Sequence, residues 1–129
     1  MKLLLDTHVF LWMHGAPERL APKARKLLID AETELVCSVV VAWELGLKVA
    51  REKLTLPAPV GEFVASRAQA ARMRWLPIGL PHVLDAVALP AHHGDPFDRM
   101  LVAQARIEGL AVMTRDAWIA RYDVNVVRA

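Results

Sequence analysis

The stretch KLLLDTHVFLWMHG, residues 2–15, contains the change of pattern that decides the fold class. Residues 2–5 form an apolar run after one lysine, which predicts a short β-strand covered on both faces. Asp6 ends that run, and residues 8–15 then have the composition of a helix that ends near Gly15. A buried strand followed at once by a helix is the repeating unit of parallel α/β proteins.

The same alternation continues along the rest of the chain. Further strands are predicted at ELVCSVV, RWLPI, LAVMT and VNVV, residues 34–40, 74–78, 110–114 and 124–127. Helices are predicted at about residues 21–31, 40–51, 60–72, 81–89, 96–109 and 115–122. Strands that alternate with helices form a mostly parallel sheet through right-handed crossovers. We therefore expect a three-layer α/β/α sandwich with a central five-stranded sheet, formed by residues 1–129 as a single domain.

The composition is that of an aliphatic globular protein. Hydrophobic residues make up 55% of the chain, aromatic residues only 6%, and the net charge is +2. This charge permits binding to a polyanion without requiring it. The basic residues form three clusters, each of which either contacts phosphate or lies on a solvated helix face: Lys23, Arg25 and Lys26; Lys48, Arg51 and Lys53; Arg67, Arg72 and Arg74.

The single cysteine, Cys37, indicates in which cellular compartment the protein is found. It cannot form an internal disulfide, and its apolar neighbours LVCSVVVAW predict a buried, reduced thiol. No apolar run approaches the roughly 18 residues of a membrane span, and Asp6 interrupts the leucines where a signal peptide would continue. We expect a cytoplasmic protein that makes no membrane contact.

Four acidic residues are predicted to share one edge of the sheet. Asp6 directly follows the first strand, and Asp116 comes two residues after Thr114 at the end of the fourth. Glu44 lies about one turn into the helix after the second strand, and Asp98 in the first turn of a later helix. Ligands of open parallel sheets bind beyond the carboxyl ends of the strands. The four carboxylates are therefore candidates for a common site.

Crowded, partly buried carboxylates repel one another unless a cation lies between them. Hard oxygen ligands suit Mg²⁺ or Mn²⁺. A divalent cation can acidify a water for in-line attack on a phosphodiester and can neutralise charge on the phosphoryl oxygens. The acidic cluster thus predicts metal-dependent hydrolysis of a phosphodiester.

Each acid also has a purely structural explanation. The clearest is Asp95, because Asp95-Pro96-Phe97-Asp98 combines an N-cap aspartate with a proline at the first helical position. We therefore assign Asp95 to helix capping and keep Asp98 as the metal candidate. Asp98 can also complement the helix dipole, and Asp116 can start the helix after Thr114.

The sequence resembles the PIN-domain ribonucleases, and more narrowly the VapC-type toxins of bacterial type II toxin-antitoxin pairs. The resemblance covers nearly the whole chain and rests on four motifs in order: LLLDTH, SVVVAWEL, HHGDPFDRMLVAQA and VMTRD. It implies Mg²⁺- or Mn²⁺-dependent endonucleolytic cleavage of RNA. It also implies a homodimer and inhibition by a cognate antitoxin.

The resemblance also implies roles for individual residues. Asp6 and Asp98 match positions that bind the metal directly, while Glu44 and Asp116 match positions that bind it directly or through water. The hydroxyl positions that support such a site are matched by Thr7, Thr114 and Ser38.

Two positions depart from the family pattern. His8 stands where many relatives have asparagine or another small polar residue, and Val41 stands where threonine is common. Neither change removes a ligand, and we interpret His8 as a structural neighbour of the site. His92 and His93 suggest zinc, but Cys37 is the only thiol and no partner has suitable spacing, so we do not predict a zinc site.

Trp12 and Trp43 lie on the two predicted helices that follow the first two strands. They belong either to the core or to a groove for a partner, and core packing is our expectation. The alternative is a surface that binds a second copy of the chain or an antitoxin helix whose Arg or Lys reaches the acids.

Two other functions compete with the nuclease hypothesis. A phosphatase with Asp6 as nucleophile would have a second aspartate two residues later and a lysine after Thr114, and both are absent. A non-catalytic module that binds RNA or protein remains the alternative, although it would not need all four acids.

Overall fold

A computed structural model, which describes residues 1–129, shows one sheet with the strand order β3-β2-β1-β4-β5 and parallel pairing throughout. The strands are β1 (Lys2–Leu5), β2 (Glu34–Ser38), β3 (Arg74–Leu76), β4 (Ala111–Thr114) and β5 (Val126–Arg128). The helices are α1 (Thr7–Gly15), α2 (Pro22–Ile29), α3 (Val39–Ala50), α4 (Val60–Ala70), α5 (Leu80–Ala88) and α6 (Pro96–Glu108). The predicted α/β architecture with a parallel five-stranded sheet is confirmed.

The leucines of β1 are buried on both faces of the sheet. Leu4 packs with Val36 and Leu101 on one face, the face covered by α6. Leu3 and Leu5 pack with Val9 on the opposite face, beneath α1 and α2. Because side chains alternate along a strand, an uninterrupted apolar run requires cover on both sides, and the two helical layers provide it.

The sheet has a topological switch point between β1 and β4. The chain leaves β1 towards β2 and β3 on one side, whereas β4 and β5 lie on the other. The backbone N–H of Asp6 donates to the carbonyl of Met113 at 3.2 Å, which holds the carboxyl ends of β1 and β4 together. Open α/β sheets bind ligands at such a point because the connections diverge there and leave a crevice.

The predicted helix over residues 115–122 is wrong, since the structure has only a short 3₁₀ helix at Ile119–Arg121. The hydroxyl Oγ1 of Thr114 accepts the backbone N–H of Asp116, and Asp116 Oδ1 accepts that of Trp118. These side-chain acceptors hold the segment in turns rather than in an α-helix. The last strand also lies later than predicted, at 126–128 instead of 124–127.

Helix α6 begins and ends as predicted. Asp95 caps its start, with Oδ1 accepting the backbone N–H of Phe97 at 2.8 Å and that of Asp98 at 3.3 Å. Gly109 ends the helix in the left-handed conformation, with φ of 67°. At 13 residues α6 is the longest helix, and the structure contains no helix with the length and apolar content to span a membrane.

Candidate metal centre

Asp6 is a buried carboxylate at the switch point. Its Oδ1 accepts the backbone N–H of Val9 at 2.8 Å and so caps α1, while its Oδ2 accepts the hydroxyl of Thr114 at 2.5 Å. Burial raises the pKa of Asp6, and the two hydrogen bonds oppose that effect without cancelling it. The fold therefore holds this carboxylate in a place where its negative charge is only partly compensated.

The hydroxyl of Thr114 connects two of the acids. It donates to Asp6 and accepts the backbone N–H of Asp116 at 3.0 Å. Thr114 itself is buried at the end of β4. One side chain thus fixes the residues that follow β1 and β4 relative to each other.

Glu44 approaches the same region from α3. Its Oε1 accepts the hydroxyl of Thr7 at 2.6 Å, and its Oε2 is 2.8 Å from Nζ of Lys48 one turn later. Ser38 caps α3 by accepting the backbone N–H of Val40 at 3.1 Å. The structure therefore shows Ser38 setting the start of the helix that carries Glu44, and Thr7 orienting the carboxylate.

Asp98 is a partly buried carboxylate in the first turn of α6. Burial raises its pKa to about 7, and the charge of Asp95 is the next contribution. Glu44 and Asp116 raise the pKa further, while His93 lowers it. No backbone amide donates to the carboxylate of Asp98, in contrast to Asp6, and its recorded side-chain partner is His93.

His93 lies between two acids, and sequence reasoning gave it no role beyond a rejected zinc site. Its Nε2 is 2.9 Å from Oδ2 of Asp98 and 2.9 Å from Oδ2 of Asp116. Burial lowers the pKa of His93, but the hydrogen bond to Asp116 and the charges of the surrounding aspartates outweigh it and raise the pKa overall. The neighbouring His92 instead packs against the ring of Tyr122, with the centroids 5.1 Å apart.

The loop that carries His93 is held by Arg99 and Tyr122. The guanidinium of Arg99 donates to the carbonyls of Leu89, Pro90 and His93 at 2.9, 3.0 and 3.3 Å. Tyr122 donates its hydroxyl to the carbonyl of Pro90 at 3.0 Å and accepts the backbone N–H of His93 at 2.8 Å. The only sequence signal for this arrangement is the position of His93 two residues before the cap of α6.

The structure brings Asp98 and Asp116 together around His93, and the charges of these acids act on those of Asp6 and Glu44. The charge of Asp116 raises the pKa of Asp6, and the charges of Glu44 and Asp116 raise that of Asp98. Ligand atoms of His93, Asp98 and Asp116 lie within 4.8 Å of one another. Oxygen donors whose negative charges raise each other's pKa suit a hard divalent cation such as Mg²⁺ or Mn²⁺.

The remaining candidates lie around this group. His8 is exposed and faces the ring of Trp12 at 5.5 Å, and it has no hydrogen bond to an acid. Trp12 is half-buried, with the guanidinium of Arg115 4.9 Å from its ring centre. Trp43 is 57% exposed, so the expectation of core packing is wrong for it. Its ring lies nearly perpendicular to that of Phe97, with centroids 5.0 Å apart.

Comparison with known proteins identifies the family. The PIN domain family matches residues 3–125. Ribonuclease VapC22 of Mycobacterium tuberculosis (strain ATCC 25618 / H37Rv) is 33% identical over 117 residues, which are 88% of this chain and 86% of the relative.

Two solved structures share the fold. VapBC2 from Rickettsia felis, bound to a DNA fragment from its promoter, has a TM-score of 0.69 at 14% identity, with 98% of each chain covered. VapBC-5 from Mycobacterium tuberculosis, of the VapBC family of toxin-antitoxin systems, has a TM-score of 0.61 at 22% identity, with 99% of this chain and 98% of that one covered. The family match and the curated relative show that this chain belongs to the PIN-domain family, as a VapC-type member.

Proposed function

We propose that this protein is a Mg²⁺- or Mn²⁺-dependent endoribonuclease and acts in the cytoplasm as the toxin of a toxin-antitoxin pair. The observation that carries the proposal is the acidic group at the switch point, where Thr114 joins Asp6 to Asp116 and where Asp98 and Asp116 share the contact with His93. Crowded, partly buried carboxylates of this kind are costly to a fold that gains nothing from them. The relative named Ribonuclease VapC22 supports RNA as the substrate.

In this proposal Asp6 and Asp98 bind the metal directly, and Glu44 and Asp116 bind it directly or through water. When bound, the cation supplies an acidified water and neutralises charge on the phosphoryl oxygens. The hydroxyls of Thr7 and Thr114 hold the carboxylates of Glu44 and Asp6 in fixed orientations.

Lys48 adds a positive charge at the edge of the group, 2.8 Å from Glu44. Its side chain is 37% exposed, so it can also approach a phosphate of bound RNA. The basic cluster that includes Lys48 is for this reason a better candidate for RNA contact than the one that includes Arg74, which pairs with Glu34 at 2.9 Å.

The proposal includes two protein partners, a second copy of this chain and a cognate antitoxin that inhibits the nuclease. Helix α5 presents an apolar stripe at helical spacing that no other part of the chain covers: Leu80, Val83, Leu84 and Val87. Apolar stripes of this kind mark contact surfaces between proteins. We assign this stripe to the homodimer, and the acidic site to the inhibiting contact of the antitoxin.

The direct test is cleavage of structured RNA by the purified protein with Mg²⁺ or Mn²⁺ and with EDTA. Asp6→Asn and Asp98→Asn should abolish cleavage, because each removes a charged metal ligand. Asp123→Asn is the matched control, since Asp123 is fully exposed and takes no part in the acidic group, and it should cleave normally. Cleavage that survives EDTA or both active-site variants would contradict the proposal.

A growth assay separates the toxin from the alternative, a non-catalytic module that binds RNA or protein. Expression of the wild-type protein without an antitoxin should arrest growth, and Asp98→Asn should not. RNA binding without cleavage, together with harmless high-level expression, would favour the binding module.

A further inference from the structure

The imidazole of His93 lies between the carboxylates of Asp98 and Asp116. Its Nε2 is 2.9 Å from an oxygen of each. The side chain is only 17% exposed, and its backbone is tied to Tyr122 and Arg99. The ring is therefore held in this place by the surrounding loop rather than resting on the surface.

The hydrogen bonds of the ring show which nitrogen carries the proton. The backbone N–H of Asp95 donates to Nδ1 of His93 at 3.2 Å, so Nδ1 must offer its lone pair. The neutral ring then carries its hydrogen on Nε2, which faces the two carboxylates. In this arrangement Nε2 is a donor to the acids and has no lone pair for a metal.

A metal-binding histidine is normally arranged in the opposite way. It offers the lone pair of one nitrogen to the ion and donates the N–H of the other to a carboxylate or carbonyl. Here the second nitrogen meets an N–H donor, and that donor belongs to the residue that caps α6. Turning Nε2 into a ligand would place two N–H groups against each other at Nδ1.

We propose that His93 competes with the metal for Asp98 and Asp116: its Nε2–H holds the two carboxylates together in the metal-free protein and is displaced when the cation binds. This inference rests on the proposed metal site and deepens it. It gives the nuclease a lower metal affinity than its carboxylates alone would provide. Half-saturation of the site would consequently require a higher concentration of free cation.

The test is a titration with Mn²⁺ alone, at one fixed pH, followed by the electron paramagnetic resonance signal of free Mn²⁺ and by calorimetry. The proteins are the wild type, His93→Leu, His93→Gln, His92→Leu and Asp98→Asn. His93→Leu should bind Mn²⁺ about tenfold more tightly than the wild type. In this variant the metal does not have to displace a hydrogen bond between the histidine and the charged carboxylates. His93→Gln keeps an N–H donor and should lie between the two.

His92→Leu is the matched control, because His92 is the adjacent residue, packs on Tyr122 and does not touch the acids. It should bind Mn²⁺ like the wild type. Metal-free melting gives a second readout: His93→Leu should melt lower than the wild type, and Mn²⁺ should raise its melting temperature by more. If His93→Leu proves too unstable, the same comparison is made with His93→Gln.

Suppose that the wild type binds Mn²⁺, that Asp98→Asn abolishes this binding, and that the His93 variants bind Mn²⁺ no more tightly than the wild type. This result would overturn the role of His93 but leave the metal site intact. Weaker binding in particular would make His93 a ligand. Wild-type binding no tighter than that of Asp98→Asn would overturn the metal site itself, and the inference with it.

Discussion

At the scale of single residues, the hydroxyl of Thr114 can be removed with little change in the shape of the side chain, so the effect of its hydrogen bonds on cleavage can be measured directly. Thr114→Val keeps the shape of the side chain but removes the donor to Asp6 and the acceptor for the backbone N–H of Asp116. We expect cleavage to fall about 10- to 100-fold, as for other groups that orient metal ligands. Thr114→Ser, which restores the hydroxyl, should recover most of the rate. Equal rates for Thr114→Val and the wild type would contradict this.

Asp98 makes the stability of the metal-free protein depend on pH. Its pKa is about 7 in the folded state against 3.8 ordinarily, so between these values the folded chain keeps a proton that the unfolded chain has lost. The stability therefore falls as pH rises through this range, by up to about 1.4 kcal/mol per pH unit. The raised pKa of Asp6 acts in the same direction.

Denaturant unfolding in EDTA at several pH values between about 5 and 8 measures this effect. Asp98→Asn cannot lose a proton, so its stability should fall less steeply, and above neutral pH it should exceed that of the wild type. Asp123→Asn, at an exposed carboxylate, should follow the wild type. Parallel curves for the wild type and Asp98→Asn would show that Asp98 is not the group responsible.

The role of a residue could be predicted from the sequence where that role depends only on residues close to it in the chain. Asp95 was correctly assigned to capping, because an aspartate before proline at a helix start is a signal contained within a few residues. The position of His93 could not be foreseen, since it depends on Arg99, on Tyr122 and on carboxylates from two other segments. The contacts of Thr7 and Thr114 with acids were also not derivable from spacing alone.

At the scale of secondary structure elements, the exposed stripe of α5 is the feature that predicts self-association. Val87 is 72% exposed in this stripe. Val87→Lys should convert a dimer to a monomer in sedimentation equilibrium, because a charge would have to be buried in an apolar interface. Ala65→Lys, at an exposed position on α4, is the control and should remain dimeric. A wild-type protein that is monomeric at high concentration would refute the dimer.

The errors in predicting elements were made where side chains bind the backbone. Residues 115–122 have a helical composition, yet Thr114 and Asp116 accept the amides that an α-helix would need. The segment consequently forms turns that direct Asp116 towards His93. The helices with a cap at the start and glycine or a break at the end, such as α6, were placed within a few residues.

At the scale of the whole molecule, Cys37 provides a probe of global unfolding. Its side chain is completely buried in β2, and burial raises the pKa of its thiol to about 12. A thiol reagent should therefore modify the native protein only through unfolding, and denaturant should accelerate the reaction in step with the unfolded fraction. Mn²⁺ should slow it further if it binds only the folded state. Rapid modification of the native protein would contradict the assignment of Cys37 to the core.

The parallel sheet was predictable because its strands are continuous apolar runs that alternate with helices. The order of the strands was not predicted, since it is set by packing between segments far apart in the chain. That order puts β1 beside β4 and so decides which acids meet. The common edge of the sheet could thus be inferred from sequence, while the geometry at that edge could not.

The bond between Thr114 and Asp6 joins residues 108 positions apart in the sequence. A chain that is still being synthesised has Asp6 and Glu44 long before it has β4, so the carboxylate group cannot assemble until Thr114 and Asp116 have been made. Contacts of such wide sequence separation form late, because they require the closure of a long loop. The nuclease activity proposed for this group would therefore be absent from a growing chain until residues 114–116 have been added.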